Sequence, residues 1–212
     1  MKEGYKMDDK ELIESIMNTW EIESKSVNDL CRDMDQNALL KTIKTVAECD
    51  KRMLITGCGT SAMAARKIAH SLCCIERPSI YLNPSDAVHG GLGVVQTGDI
   101  VIMISKSGNT KELLNLIPTC KKKEVKLIAV TENECSTIAA NADIVLKIKV
   151  EKEPCPFNML ATASTAAVIA VFDAVCIALM QYMKYTQEQF ALIHPGGAVG
   201  DRLFTETRGD KI

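Results

Sequence analysis

Hydrophobic residues before residue 50 have the three-to-four-residue spacing of amphipathic helices. Asp8 or Asp9 is a suitable N-cap for the first helix, and no glycine or proline separates these helices from the rest of the chain. We therefore expect helices packed on the main domain, and we divide the chain into a helical extension (1–34) and a main domain (35–212). The three apolar stripes are Leu12, Ile13, Ile16, Met17 and Trp20; then Val27, Leu30, Cys31 and Met34; then Leu39, Leu40, Ile43 and Val46.

From residue 52 onward, short apolar runs alternate with helical patterns. This β-α-β alternation predicts an α/β fold with a doubly wound, five-stranded parallel sheet in the order 2-1-3-4-5. Helices would cover both faces, which gives a three-layer α-β-α sandwich. The predicted strands are 52–56, 79–82, 99–104, 126–130 and 144–149, and the predicted helices are 61–74, 110–123 and 136–141, with a shorter one between 85 and 90.

The apolar stretch 160–183 is long enough to cross a bilayer. Asp173 lies near its centre, where a charge is costly in lipid. A buried helix of a soluble domain is therefore the favoured interpretation. Its small residues permit close packing, either within the domain or against a second subunit, and they include Ala163, Ala167, Ala170 and Ala174.

Composition narrows the class of protein further. The 212 residues are 47% hydrophobic and 25% charged, which suits a globular domain with a full core. A net charge of -2 and 4% aromatic residues give no indication of a nucleic-acid partner. Nine scattered cysteines without a CxxC pair favour reduced thiols over disulfides or zinc. We expect a cytoplasmic protein with no membrane or nucleic-acid partner and no metal.

Two hydroxyl-rich loops come directly after predicted strands 1 and 3. Residues 105–110 (SKSGNT) join a buried strand to a helix, and residues 57–62 (GCGTSA) come after the first strand. Because these strands are neighbours in the predicted order, both loops would face one crevice, where open α/β sheets bind ligands. Hydroxyls and helix amino ends suit a phosphate. The candidate binding residues are Gly59, Thr60, Ser61, Ser105, Ser107, Gly108, Asn109 and Thr110.

Other interpretations of these loops are weaker. Residues 105–110 alone could form an ordinary turn with a threonine N-cap, and 57–62 is a partial dinucleotide fingerprint. Leu82 and Asn83 stand where that fingerprint needs a ribose-binding acid. A compact phosphate therefore fits better than a dinucleotide.

The tandem loops GxGTS and SxSGxT resemble the sugar isomerase (SIS) domain. Residues 83–90 (NPSDAVHG), 153–156 (EPCP) and 194–200 (HPGGAVG) resemble its arabinose 5-phosphate isomerase branch. The resemblance covers about 35–204 and implies the SIS sandwich, a phosphosugar substrate, no cofactor, and interconversion of ketose and aldose phosphates. Members with this tail often continue into paired CBS domains, which we expect to be absent because the chain ends at Ile212.

Two positions depart from that branch. It usually carries a lysine where Thr60 stands and a glutamate where Asn109 stands. These changes favour a second hypothesis, a sugar-phosphate-binding sensor without turnover. They also leave the exact sugar open.

The isomerase hypothesis assigns roles to Glu153, His194 and His89, which match family positions. Moving a carbonyl between C1 and C2 through an enediol(ate) needs a base and a proton relay. We expect Glu153 to be the base, with a raised pKa, and His194 to relay protons. His89 either orients substrate or bonds backbone. The structural alternatives are a surface Glu153 and a turn-capping His194, while Lys106 either neutralises phosphate or is solvated.

The resemblance also implies an assembly. In the family the HPGGAxG tail reaches a neighbouring subunit. We therefore expect a homodimer or homotetramer with a site built across subunits.

Overall fold

The computed structural model describes residues 7–197. Two helices come first, α1 (Asp9–Asp33) and α2 (Gln36–Glu48). The remaining elements are β1 (Met53–Gly57), α3 (Thr60–Cys73), β2 (Ser79–Tyr81), α4 (Pro84–Ala87), a 3₁₀ turn (Gly91–Val94), β3 (Ile100–Ile104), α5 (Lys111–Leu114), α6 (Ile117–Lys122), β4 (Lys126–Thr131), α7 (Thr137–Ala140), β5 (Ile144–Lys147), α8 (Ala163–Tyr182) and α9 (Gln187–Ile193).

The five strands form one parallel sheet in the order β2-β1-β3-β4-β5, so the predicted topology is confirmed. β1 and β3 are hydrogen-bonded neighbours, and Gly57 pairs with Ile104 at their carboxyl ends. The loops after these two strands therefore leave the sheet side by side. The strands are short and almost entirely apolar because helices cover both faces of the sheet.

Alternate strand residues face two separate cores, as the pleat of a strand requires. Met53 and Ile55 pack with α3, α8 and parts of α1 and α2. Leu54 faces the opposite side, where α5, α6 and α7 cover the sheet. The predicted three-layer α-β-α sandwich is thus confirmed.

The first two apolar stripes belong to one helix. α1 begins with a capping box formed by Asp8 and Glu11 and continues to Asp33. Asp35 then caps α2 through the backbone N–H groups of Asn37 and Ala38. The turn between the helices coincides with the boundary assigned at residue 34, but the division into two domains stays a prediction.

The expectation that all the N-terminal stripes pack on the main domain is wrong for the first. Leu30 of α1 and Met34, its C-cap, do contact the core. The apolar side chains of the earlier turns do not. Their apolar side chains form an exposed surface, called here the α1 stripe: Leu12, Ile13, Ile16, Met17 and Trp20, each 45–61% exposed.

The single helix predicted over 110–123 is also wrong, because the chain breaks into α5 and α6. Pro118 lies in the first turn of α6. A proline ring clashes with the carbonyl four residues earlier and lacks an N–H. The helix must therefore end and restart, and Leu113, Leu116 and Ile117 still reach the core.

The apolar stretch 160–183 forms α8, within which seven side chains are buried, including Phe172. By length and composition it is the one helix among residues 7–197 that could cross a membrane, with a mean hydropathy of 2.1. It packs against α1, α2 and α3, and Asp173 pairs with Lys67 of α3. Its outer face leaves Ile177 and Tyr182 exposed.

Candidate functional site

An open crevice of about 780 Å³ lies at the carboxyl edge of the sheet, where β1, β3 and β4 end. Both predicted loops contribute to it. A smaller cavity of about 110 Å³ lies beside it, toward the start of α8. The crevice is lined by Cys58, Ser61, Ile104, Ser105, Lys106, Ser107, Thr110, Glu132, Asn133, Lys147 and Lys149.

Hydroxyl groups within the loop after β3 are used partly by the loop itself. The Ser105 hydroxyl lies 2.8 Å from that of Thr110 and accepts a hydrogen bond from the Gly108 N–H at 3.0 Å. Ser105 is only 3% exposed, although it lines the crevice. Ser105 and Thr110 therefore hold the loop in its turn, whereas Ser107 is exposed and faces the crevice.

Gly108 is required by its surroundings. Its φ of +66° belongs to the left-handed region, and a Cβ there would lie 2.0 Å from Ser136 Oγ and 2.9 Å from Thr131 Oγ1. Its carbonyl also accepts from the Ile138 N–H at 3.0 Å. The loop after β3 is thus pressed against the start of α7.

Asn109 does not line either cavity. Its Oδ1 accepts a hydrogen bond from the Thr137 N–H at 3.0 Å, so the side chain ties the loop to α7. Its backbone N–H bonds to Ser107 Oγ at 3.2 Å. The structure therefore places Asn109 outside the group of side chains that face the crevice.

The loop after β1 leads into the amino end of α3. Gly59 is the N-cap of this 14-residue helix and supplies no side-chain hydrogen bond, so the first N–H groups of α3 lack a side-chain cap. Ser61 lines the crevice and the smaller cavity, while Thr60 lines only the smaller one. The uncapped amino end and the hydroxyl of Ser61 suit an anion.

Glu153 is deeply buried in the loop between β5 and α8, at 3% exposure, so the interpretation of a surface glutamate is wrong. Its carboxylate accepts hydrogen bonds from the Thr162 N–H at 3.0 Å and from the hydroxyl of Ser164. The Ser164 N–H also points to it, at 3.4 Å from each oxygen. The carboxylate therefore caps the amino end of α8. Glu153 lines neither cavity itself, but its partners Lys106 and Ser164 both line the smaller one.

The expected raised pKa of Glu153 is not found. Burial alone would raise the pKa, but the hydrogen bonds from Ser164 and Thr162 and the charge of Lys106 together hold it below its usual range. A carboxyl whose pKa is lower in the folded chain stabilises the fold above its unfolded pKa. That contribution is lost as the pH falls through the lower, folded pKa.

Lys106 connects two carboxylates across the crevice. Its Nζ lies 3.3 Å from Glu153 Oε1 and 3.5 Å from Glu132 Oε1. It lines the crevice and the smaller cavity, and it shares the smaller cavity with Thr60. A cation therefore reaches this cavity from the loop after β3.

The two predicted histidines lie away from these side chains. His89 is exposed, just before the 3₁₀ turn, and its backbone N–H bonds to the Asp86 carbonyl at 3.0 Å. His194 comes directly after α9, stacks on Phe190 at 3.9 Å, and its Nδ1 lies 2.8 Å from the Phe190 carbonyl. Neither ring lines the two cavities within one chain, and residues 198–200 of the HPGGAVG tail lie outside the described residues.

Comparison with known proteins assigns the family. Residues 47–178 match the SIS domain. The chain belongs to the SIS domain family. It is 36% identical over 197 residues to arabinose 5-phosphate isomerase KpsF of Escherichia coli strain CFT073, covering 93% of this chain and 60% of that protein. This SIS chain thus spans about 60% of the length of the curated relative.

Two solved structures share the fold of this SIS chain. A Listeria monocytogenes protein, provisionally assigned as a sugar-phosphate isomerase, is 56% identical with a TM-score of 0.89, covering 90% of this chain and all of that one. An Escherichia coli CFT073 protein in complex with arabinose 5-phosphate is 33% identical with a TM-score of 0.85, covering 89% of this chain and all of the other.

Several residues of this SIS crevice were not predicted. Glu132 and Asn133 come directly after β4, and Lys147 and Lys149 lie at and beyond the end of β5. Polar residues at the carboxyl ends of strands are the signal that could have found them. The predicted binding residues came only from the two hydroxyl-rich loops, and none came from the ends of β4 and β5.

Replacing Gly108 by alanine should destabilise the SIS domain by about 3 kcal/mol, because overpacking adds to the strain of a positive φ. It should also weaken the binding of an anion such as inorganic phosphate at the crevice, since the loop must move away from Ser136. Thermal unfolding and a binding titration would measure both effects.

Gly90→Ala is the matched control, because Gly90 has a φ of +107° but nothing within 4 Å of an added Cβ. It should show only the backbone penalty, about 1–2 kcal/mol. Equal losses of stability in the two variants would mean that the contact with Ser136 is unimportant.

Proposed function

We propose that this SIS chain is an isomerase of the arabinose 5-phosphate type, which interconverts an aldose 5-phosphate and its 2-ketose through an enediol(ate). The observation that carries the proposal is the buried carboxylate of Glu153 beside a crevice lined by hydroxyl-bearing loops. The similarity to KpsF and to the protein in complex with arabinose 5-phosphate supports the substrate class.

The phosphate would bind between the two loops. Ser107 faces the crevice from the loop after β3, and Ser61 faces it from the amino end of α3. Both hydroxyls can donate to phosphate oxygens, and the helix end adds a partial positive charge. The sugar carbons would then extend toward Glu153 and the start of α8.

Glu153 would remove the proton from C2 of the aldose and return it to C1, while a second group moves a proton between the two oxygens. Its lowered pKa keeps the carboxylate ionised at neutral pH, which is the form that accepts a proton. The backbone N–H groups that hold it fix its direction. General acid–base groups of this kind contribute about 10²–10⁴-fold to the rate.

We assign the oxygen-to-oxygen relay to His194, with His89 orienting the substrate. Because neither ring lines the crevice of its own chain, both roles require a neighbouring subunit. The chain presents exposed apolar surfaces for assembly: the α1 stripe, the outer side of α8, and Phe157, Met159 and Leu160. We therefore expect a homodimer or homotetramer, and the cytoplasmic location stays a prediction.

The sensor hypothesis has two observations in its favour. The start of α8 donates hydrogen bonds to Glu153, as it would to a carboxylate that serves only as a helix cap. Thr60 and Asn109, which depart from the arabinose 5-phosphate isomerase branch, point the same way. A sensor would bind phosphosugars without exchanging a carbon-bound proton.

The deciding experiment measures exchange of the C2 proton of arabinose 5-phosphate with solvent by NMR. Wild-type protein should exchange it, and Glu153→Gln should lower the rate about 10²–10⁴-fold while the dissociation constant stays within a few-fold. The amide keeps the size of the side chain but removes its basicity.

Thermal unfolding of the Glu153→Gln protein must show that it remains folded. Tight binding of arabinose 5-phosphate by the wild type, with no exchange over hours, would instead establish the sensor.

Ser107→Ala should weaken phosphosugar binding by about 2 kcal/mol, because it removes a hydrogen bond to a charged group. It should lower stability only slightly, since Ser107 is exposed and its hydroxyl accepts a single hydrogen bond, from the Asn109 N–H. Calorimetric titration would measure the affinity for arabinose 5-phosphate and for arabinose.

Ser105→Ala is the contrasting variant, since the Ser105 hydroxyl holds Gly108 and Thr110. It should lower stability and affinity together. Should arabinose bind as tightly as its phosphate, the assignment of a phosphate site would be wrong.

Introducing charge into the α1 stripe should dissociate the assembly. The double variant Ile16→Glu with Trp20→Glu should sediment as a smaller species than wild type at micromolar concentration, because buried carboxylates at an interface are costly. Analytical ultracentrifugation gives the masses.

Asn18→Glu adds a charge to an exposed position of the same helix, outside the stripe, and should leave the assembly intact. A fully active wild-type monomer at that concentration would contradict the assembly.

A further inference from the structure

Lys106 is the cation that faces the carboxylate assigned as the base. Its Nζ lies 3.3 Å from Glu153 Oε1, and the same Nζ lies 3.5 Å from Glu132 Oε1. Within residues 7–197 no other lysine, arginine or histidine nitrogen lies within 4 Å of either carboxylate. One ammonium group thus forms ion pairs with two carboxylates.

The backbone of Lys106 is fixed, while its side chain can move. Its carbonyl accepts hydrogen bonds from the Glu132 N–H at 3.1 Å and from Thr131 Oγ1 at 3.0 Å. The side chain is 47% exposed and borders the crevice as well as the smaller cavity. Its ammonium can therefore reach a bound anion without a change in the loop.

Charge balance gives a reason for that movement. The two carboxylates and the ammonium that pairs with them carry a net charge of −1 before any ligand enters; Lys147 and Lys149 also line the crevice but pair with neither carboxylate. A phosphosugar brings further negative charge into the same space, where water is partly excluded and charges interact more strongly. The incoming anion and Glu153 therefore compete for Lys106.

We propose that Lys106 is a positioning residue for Glu153. In the free protein the Lys106 ammonium holds the Glu153 carboxylate, and when the phosphosugar binds, the ammonium moves toward the phosphosugar. This inference rests on the proposed isomerase function. Thr162 and Ser164 keep their hydrogen bonds to the carboxylate, so its direction is retained. The base would then be more basic in the complex than in the free enzyme.

The other groups around Glu153 do not replace the lost charge. The loop after β5 and the start of α8 offer only the Thr162 N–H and the N–H and hydroxyl of Ser164, all uncharged. Glu132, at the end of β4, is negative and lies beyond Lys106. When the ammonium moves away, the pKa of Glu153 rises.

Two pH profiles of wild-type isomerisation test this directly, since kcat/KM reports the free enzyme and kcat reports the complex. The acid limb of kcat should lie at higher pH than that of kcat/KM. In Lys106→Met the acid limb of kcat/KM should move up toward that of kcat, and the limb of kcat should move less. The KM should rise about tenfold, as expected for a lost contact to an anion.

Lys126→Met is the control, because Lys126 is an exposed lysine at the amino end of β4 that pairs with Asp143. It removes one charge from the protein and should change neither limb. Coincident acid limbs in the wild type would overturn the inference. So would equal movement of both limbs in Lys106→Met, or no movement of either.

A second measurement does not depend on turnover. The ¹³C shift of the Glu153 carboxyl, titrated by NMR with and without arabinose 5-phosphate, gives its pKa in each state. The pKa should rise on binding in the wild type and should rise less in Lys106→Met, where only the charge of the ligand acts on the carboxylate.

The two proposals can fail separately. Binding without proton exchange would overturn the isomerase, and the titration would still decide the role of Lys106. Turnover with an unchanged Glu153 pKa would overturn only the role of Lys106. If arabinose 5-phosphate does not bind at all, both proposals are overturned.

Discussion

A buried carboxylate must be compensated by donors or charges, and this requirement organises the edge of the sheet where the site lies. Glu153 receives hydrogen bonds from the start of α8 and an ion pair from the loop after β3. Its own N–H bonds to Asn158 Oδ1 at 2.7 Å, which shapes the loop that precedes α8. One side chain therefore joins its own loop to the start of α8, nine residues further on, and to the loop after β3, 47 residues earlier.

Most of the side-chain hydrogen bonds that hold the turn after β3 come from residues other than Lys106 and Ser107. Ser105 and Thr110 bond to each other, and Asn109 bonds to α7. Ser107 and Lys106 remain to face the crevice. The loop can be rigid and still expose two polar side chains, because the Ser107 hydroxyl contributes only one of its holding bonds, from the Asn109 N–H.

The sequence was sufficient to predict the order of the strands and the position of the crevice, because both depend on local patterns. Short apolar runs, two of them leading into hydroxyl-rich loops, predict strand order and ligand edge together. Two features that could not be predicted depend on distant contacts. The lowered pKa of Glu153 arises from Ser164, Thr162 and Lys106, which no spacing rule brings together. Asn109 has the sequence position of a ligand contact, but α7 uses its side chain.

The exposed stripe on α1 has an optical consequence. Trp20 is the only tryptophan in the chain and lies 61% exposed on that stripe, away from the crevice. Its fluorescence therefore monitors whatever covers α1, and a spectral change on adding a sugar phosphate would report a change at that distant surface. Emission that shifts with protein concentration alone would show the stripe leaving water.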